Sequence, residues 1–446
     1  MYKLKLIIRY LLKRHITHFA VLAVALCVFI VVVVMTVMTG LVQGFKEKNH
    51  EFVGDCVVGT ESLVGFPYYE EFVERLEQTD LIAAASPVVK GYGLQDAEGR
   101  ETPVEVMGVD PVRHSRATNF AQVLHYRASE PARAFQPAYA PEAPGCVRGI
   151  DLALGRNASS EYLYHAQPEQ TPVNLTCFPL NARGALALAG TWPVRTQKFF
   201  HSDYARTGIA AVDGSLVYIP LEQAQLLCTA GTLKRVTAIH IKFQPGTDLA
   251  RGCDRVTQLW QQFRQEKSDA PSAYLLETVK VESWKGYRRA FIAPMEKEQV
   301  LLSFMFVLVG GTTVFIVFVV FYMLIAHKRK DIGVLKSMGT SQVGIMALFS
   351  GFAFAVGLLG SVVGVSGGYL FLARINGIED WLFERFGFQL WDRTIYAIGD
   401  IPHQVDVKVV FVIVGSAIAA CLLGAAVPSY LAARLRPVET LHVGQV

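Results

Sequence analysis

Four long stretches of this sequence contain no charged residue: Phe19–Phe45, Gln299–Ala326, Val343–Ala373 and Val409–Ala433. A helix rises 1.5 Å per residue and the hydrocarbon of a bilayer is about 30 Å thick, so about 20 apolar residues suffice to cross it. Each stretch is long enough. Charge is scarce in the chain as a whole: 18% of the 446 residues are charged and 52% hydrophobic, where soluble domains carry roughly 25% charge. A wholly soluble protein is excluded. The net charge of +4 implies no nucleic-acid partner. With no acid or base inside any stretch, a proton relay or ion-coupled path has no residues to run through.

Catalytic and nucleotide motifs are also missing. There is no G-x-x-x-x-G-K-[ST], no H-E-x-x-H among the eleven histidines, and no G-x-S-x-G elbow. The expectation is a protein with no catalytic, cofactor or metal site of its own. Seven cysteines form no spaced framework: Cys27 and Cys421 fall in the apolar stretches, and Cys56, Cys146, Cys177, Cys228 and Cys253 lie between the first two. Five is odd, so at least one stays free or pairs with another chain, and one internal disulfide or none remain open alternatives.

The first stretch follows a basic segment, as a signal peptide would. It is about twice as long as a signal h-region and no small-residue cleavage pattern closes it, so a retained helix is expected. Basic residues cluster before the first stretch (Lys3, Lys5, Arg9, Lys13, Arg14), between the second and third (Lys328, Arg329, Lys330, Lys336) and after the fourth (Arg434, Arg436). The positive-inside rule makes these three segments, and both termini, cytoplasmic. The expected order is an interfacial helix over 1–15, spans at 16–45, 299–326, 343–373 and 409–433, and an external domain over 46–298. A cytoplasmic loop over 327–342, an external loop over 374–408 and a cytoplasmic tail over 434–446 complete it. The fold class is thus an α-helical membrane protein of four transmembrane helices with a large mixed α/β extracytoplasmic (periplasmic) domain. In that domain Pro67 opens a helix with Tyr69, Phe72, Val73 and Leu76 on one face. Thr247–Asp248 cap another, with Val256, Leu259, Trp260 and Phe263 inward, and strands alternate at Val104–Val106 and at Ile239, Ile241 and Phe243. Pro131–Pro144 reads as a loop or inserted lobe.

Two features of the membrane part bear on function. Gly360, Gly364 and Gly368 stand four apart and so line one face of the third span, letting another helix approach closely; packing within the chain and a dimer seam both fit. Between the second and third spans, Asp331–Met338 forms a short helix with Ile332, Leu335 and Met338 on one side, Gly339 as its C-cap and Thr340 or Ser341 capping the next span. Apolar side chains exposed on such a loop suit a protein partner, and lying flat on lipid fits the same spacing.

That segment, "RKDIGVLKSMGT" (Arg329–Thr340), resembles the cytoplasmic loop of the FtsX-like permease superfamily, the MacB/FtsX group. "AVPSYLAARLRPVETL" (Ala426–Leu441) resembles the ending of the same family. "VMTVMTGLVQGFKEK", "VEVMGVDP", "GSLVYIPLEQAQLL", "SWKGYRRAFIAPMEKEQVLLSFMF" and "IYAIGDIPHQVDVKVV" are similar, in order, to segments of lipoprotein-releasing (Lol-type) permeases; His125–Cys146 and Glu161–Phe200 look inserted or diverged. The resemblance implies a permease subunit of an ATP-binding-cassette transporter in the inner membrane, which extracts lipoproteins from its outer leaflet. ATP and magnesium would sit on a separate ATPase, docked on a coupling loop of Arg329, Asp331, Ile332, Leu335, Met338 and Gly339. It further implies a second permease chain, alike or different, a lipoprotein client, and room for a periplasmic acceptor chaperone. Met35, Met38, Met305 and Phe306 would suit a lateral cavity for acyl chains, methionine being adaptable to irregular apolar ligands. A macrolide-exporter-like efflux permease and an FtsX-like signal transmitter to a cell-wall hydrolase are the alternatives.

Overall fold

The structure is a computed structural model that describes residues 15–155, 162–186, 194–230, 233–386 and 401–435. The expected interfacial helix before residue 15, the middle of the 374–408 loop and the chain beyond Leu435 lie outside the described residues. The described chain forms two compact units. One runs from Gly44 to Ala293; the other takes in the chain up to Gln43 and the helices after Pro294.

Helix α1 (His15–Val53) holds the first apolar stretch but does not stop with it. It continues through Lys46, Glu47 and Lys48, because only the part in lipid needs to be apolar, while the backbone hydrogen bonds can be kept in water.

The domain unit is built on a mixed sheet. Its strands are β1 (Cys56–Gly59), β2 (Ile82–Ala97), β3 (Arg100–Val109), β4 (Gly145–Gly149), β5 (Pro172–Cys177), β6 (Arg195–Ala205), β7 (Leu216–Pro220), β8 (Ala238–Phe243) and β9 (Lys280–Ser283). They lie in the order β3-β7-β4-β6-β5-β2-β8-β1-β9, and β2 also pairs with β3, which closes the first six into a circuit of pairings. The β2–β3 hairpin turns on Glu98 and Gly99, both at positive φ (56° and 77°), the two-residue turn whose twist suits antiparallel strands. Strand β2 serves three partners because it is long: β8 along Ile82–Val88, β5 along Gly93–Ala97 and β3 along the other edge.

Two of the expected helices pack here. Helix α2 (Tyr69–Glu77) starts two residues after Pro67 and buries Tyr69, Phe72, Val73 and Leu76. Helix α4 (Leu249–Glu266), which follows α3 (Leu221–Cys228), is capped by the Asp248 carboxylate accepting from Arg251 N and buries Val256, Leu259, Trp260 and Phe263. Trp260 meets Phe72 edge-on with ring centroids 4.8 Å apart, and Phe66 at 5.4 Å. Cys56 and Val58 face this core while Val57 faces a second one around Met107, Phe120 and Tyr218. Strand β1 is therefore buried on both faces, as its continuous apolar run requires. Within this unit Asn49 and Arg288, both buried, join the end of α1 to the segment before the next long helix. The Arg288 Nε donates to Asn49 Oδ1 at 2.8 Å, with the guanidinium over the Phe291 ring at 3.9 Å.

The other unit is a helix bundle: the start of α1, α5 (Arg289–His327), α6 (Arg329–Ser337), α7 (Gln342–Leu372), α8 (Ile375–Phe386) and α9 (Val407–Arg434). Four of these, α1, α5, α7 and α9, are long and apolar enough to cross a membrane. Helix α8, inside the expected external loop, was not foreseen. The glycines of α7 set the packing. A Cβ on Gly360 would lie 2.7 Å from Val24 Cγ1, and one on Gly364 2.6 Å from the Ala25 carbonyl. One on Gly368 would lie 3.1 Å from Val32 Cγ1, so this face receives α1 of the same chain. Gly424 does the same for α9 against α5, 2.5 Å from the Val314 carbonyl.

Candidate functional site

Two features of the bundle carry the functional argument. The first is an open cavity of about 560 Å³ lined by α1, α5 and α9. Its volume lies within the roughly 300–1,000 Å³ usual for ligand pockets. Val24, Cys27, Val28, Val31 and Met35 present one face of α1 to it; Phe306, Gly310 and Thr313 come from α5, and Val409, Ile413 and Ser416 from α9. No atom lies within 4 Å of where a Gly310 Cβ would stand, so that glycine widens the space rather than tightening a contact. The Thr313 hydroxyl approaches the Val309 carbonyl at 3.0 Å and Cys27 Sγ at 3.1 Å, which leaves the lining almost wholly apolar. Lys408 is the one charged residue on the lining. It sits in the first turn of α9, one residue past the helix start, and is exposed.

Of the four residues expected around an acyl cavity, Met35 and Phe306 line this one; Met38 and Met305 do not, and Met305 points outward, 58% exposed. The lining from α9 was missed. A pattern of charge and hydropathy finds that helix but not its neighbours; Lys408, a base at the edge of an apolar stretch, is the signal that could have drawn attention to it.

The second feature is α6. Lys328 breaks it from α5, and the Lys328 ammonium pairs with Asp331 in its first turn. The expected apolar face is graded along the helix. Ile332 is buried in the bundle core, Leu335 is half-buried, and Met338 is 79% exposed, with Val334 also outward. Arg329 is exposed and Asp331 half-buried. Gly339, exposed, turns the chain at φ 89°, and the Ser341 hydroxyl caps α7 by accepting from Gly344 N at 3.1 Å. Lys336, read from sequence only as a topology signal, does more. Its Nζ donates to the Ala433 and Leu435 carbonyls, each at 2.6 Å, and so closes the C-terminal end of α9. Those carbonyls have no partner inside the helix, and a cation there also meets the negative end of the helix dipole. Among the described residues, no group of three or more His, Cys, Asp or Glu is placed to hold a metal ion.

Residues 303–437, from the cavity wall of α5 through α6 to the end of α9, match the model of the FtsX-like permease C-terminal region. Residues 17–161 match the MacB-like periplasmic core domain. The chain resembles an FtsX-like permease. Such a permease is the membrane component of an ATP-binding-cassette transporter whose ATPase is a separate subunit. The permease is 22% identical over 428 residues to the lipoprotein-releasing system transmembrane protein LolC of Xylella fastidiosa strain Temecula1, covering 95% of this chain and 92% of that one. It is 21% identical to the LolC of Neisseria meningitidis serogroup B (96% and 94% covered) and 20% identical to the LolE of Haemophilus influenzae (96% and 94%). The periplasmic region of MacB from Actinobacillus actinomycetemcomitans matches with a TM-score of 0.30 at 10% identity, covering 54% of this permease and 94% of that chain.

Proposed function

We propose that this permease extracts lipid-anchored proteins from the outer leaflet of the inner membrane, driven by a separate ATPase carrying ATP and magnesium and docked on α6. Both termini face the cytoplasm in this reading, and the Gly44–Ala293 unit faces outward. The observation that carries it is the apolar cavity between α1, α5 and α9, about 560 Å³ in volume with Lys408 on its lining. Acyl chains are the ligand such a lining suits: it offers apolar surface throughout and one cation for a polar or anionic group next to the chains. Each buried CH₂ holds an anchor by about 0.8 kcal/mol, so a multiply acylated protein is held by on the order of tens of kcal/mol and leaves only if work is done on it. The likeness to proteins named as lipoprotein-releasing over almost their whole length supports the same client class. A second permease chain, of the same or a related kind, completes the pair, and a periplasmic acceptor takes the released client.

The test uses a photo-crosslinking residue at Met35, on the cavity, and another at Met305, outside it. An acylated protein should be captured at Met35 and not at Met305, and the adduct should disappear when ATP is supplied to the complex. Capture of phospholipid alone at both positions, with and without ATP, refutes the client. Capture of a soluble hydrolase or of an amphiphilic small molecule would favour a signal transmitter or an efflux permease instead.

A further inference from the structure

The Gly44–Ala293 unit holds five cysteines, and four of them stand in two facing pairs. Cys177 ends β5 directly opposite Gly93 of β2, and Cys228 ends α3. Gly91 and Gly93 are two apart on β2 and therefore open on the same face. A Cβ on Gly91 would lie 2.5 Å from Cys228 Sγ, and one on Gly93 3.0 Å from Cys177 Sγ. The two absent side chains leave the space in which the two sulfurs meet. In the second pair Cys56 of β1 is fully buried under α4, and Cys253, one turn before the buried Val256, packs against the same core from α4. These two sulfurs also lie close to one another. Cys146 is the fifth, buried, and burial pushes its thiol up to about 12, which keeps it protonated and unreactive.

We propose that Cys177–Cys228 and Cys56–Cys253 are oxidised to two disulfides in the mature protein, with Cys146 left as a thiol. This rests on the reading that the domain lies outside the cytoplasm, where disulfides persist. The pairing uses up four of an odd five and staples α3 and α4 to the sheet they cover. The oxidant is the disulfide of a dithiol oxidoreductase. One cysteine thiolate attacks a sulfur of that disulfide, forming a mixed disulfide and releasing one oxidant sulfur as thiolate. The facing cysteine, as thiolate, then displaces the second oxidant sulfur. The protein loses two hydrogens per pair and the oxidant leaves as a dithiol. Cys177 and Cys228 are buried, so their exchange precedes completion of the fold.

The test is peptide mapping of the full chain after its thiols are trapped in intact cells with a permeant maleimide, without reductant. The result expected is two linked peptide pairs, each lighter by two hydrogens than the reduced pair, and maleimide on Cys146 only after denaturation. Cys228→Ser should expose Cys177 to labelling on denaturation and leave the Cys56–Cys253 link in place. A Gly99→Cys variant, labelled in parallel with an impermeant maleimide, reports the side on which the domain lies. All five thiols modified on denaturation, with Gly99→Cys labelled from outside, overturns the pairing itself. All five modified with Gly99→Cys protected overturns the pairing in the cell by removing the external location on which it rests.

Discussion

Replacing Lys336 by methionine keeps the length and apolar stem of the side chain and removes only its charge and donors. The ammonium donates to two carbonyls at the end of α9, Ala433 and Leu435, each at 2.6 Å. A hydrogen bond with a charged partner contributes about 1.5–3 kcal/mol, and a cation at a partly buried helix C-terminus up to ~2 kcal/mol. Lys336 is only half-buried, and water can replace part of what is lost. A net loss of about 1–2 kcal/mol follows, a factor of roughly 5–30 in the opening of the last turn. Hydrogen exchange of the amides over Ala432–Leu435, measured in the detergent-purified complex, should speed up by that factor, while exchange in the body of α7 stays unchanged. Lys328→Met is the control, because Lys328 pairs with Asp331 of α6 itself. If α6 passes movement to α9 through Lys336, the variant should also hydrolyse ATP with less client release per ATP, and Lys336→Arg should restore most of it. Wild-type exchange at the end of α9 together with wild-type release would refute the reasoning.

Three further outcomes are expected. Gly364→Leu should destabilise the bundle by about 1–3 kcal/mol, read as a lower melting temperature in detergent, because its Cβ would meet the Ala25 backbone carbonyl at 2.6 Å and backbone cannot yield as a side chain can; Gly415→Leu, with nothing within 4 Å, should change it little. Met338→Asp should release the ATPase on co-purification, at a cost upward of roughly 2 kcal/mol for an exposed apolar anchor, whereas Ile332→Asp, buried in the bundle core, should lower the yield of folded permease instead. Lowering the pH should destabilise the Gly44–Ala293 unit: burial depresses His114 from the ordinary 6.5 to about 3 and pushes His201 and His240 down as well. The unfolded chain therefore binds more protons, so stability is full above 6.5 and falls by ~1.4 kcal/mol per pH unit for His114 alone as pH drops toward 3. Buried Asp213, raised to about 6, and Asp203, also raised, work in the opposite sense but are outnumbered. Unfolding followed at several pH values should show proton uptake below 6.5, and a flat or rising stability from pH 8 to 5 would contradict it.

The spanning helices were legible because missing charge reports the solvent directly. Their ends were not, because α1 carries on through Lys46–Val53 once lipid no longer constrains it. Local patterns in the domain, the Tyr69–Leu76 face and the Asp248 cap, held because they depend on neighbours in sequence. The sheet was not legible. Pro87, Gly91 and Gly93 interrupt the strand signal of β2, yet each has its place: Pro87 opposite Ile239 on β8, and the glycines where two cysteine sulfurs need the room. The cavity was half legible for the same reason. Met35 and Phe306 could be nominated from α1 and α5, but the wall from α9 depends on a pairing of helices more than a hundred residues apart in sequence. On α6 the spacing of Ile332, Leu335 and Met338 places them on one side of the chain. It could not show that the face is buried at one end and exposed at the other, so that a single stripe serves first the bundle and then the outside.

Helix α9 is the element that meets both candidate features. Near its start, Lys408, Val409, Ile413 and Ser416 line the cavity; at its end, the Ala433 and Leu435 carbonyls are held by Lys336 of α6. The 28 residues of α9 span about 42 Å at 1.5 Å per residue, so a displacement at α6 can reach the cavity along one helix without a chain of side chains between. Two features set where that helix can yield. Pro428 lies within it, four residues after Gly424, so the Gly424 carbonyl lacks its usual helical donor. At Gly424 the backbone of α5 also comes close, the Cβ position 2.5 Å from the Val314 carbonyl, so the helix has no room to move toward α5 there. In the proposed cycle a push at the Lys336 end would be taken up at Pro428 and resisted at Gly424, and what passes beyond would be a tilt of the cavity wall about the α5 contact. A rocking of Lys408 and Ser416 against α1 and α5 is the motion this geometry allows, and it would change the width of the space beside Met35 and Phe306 without opening a channel through the bundle.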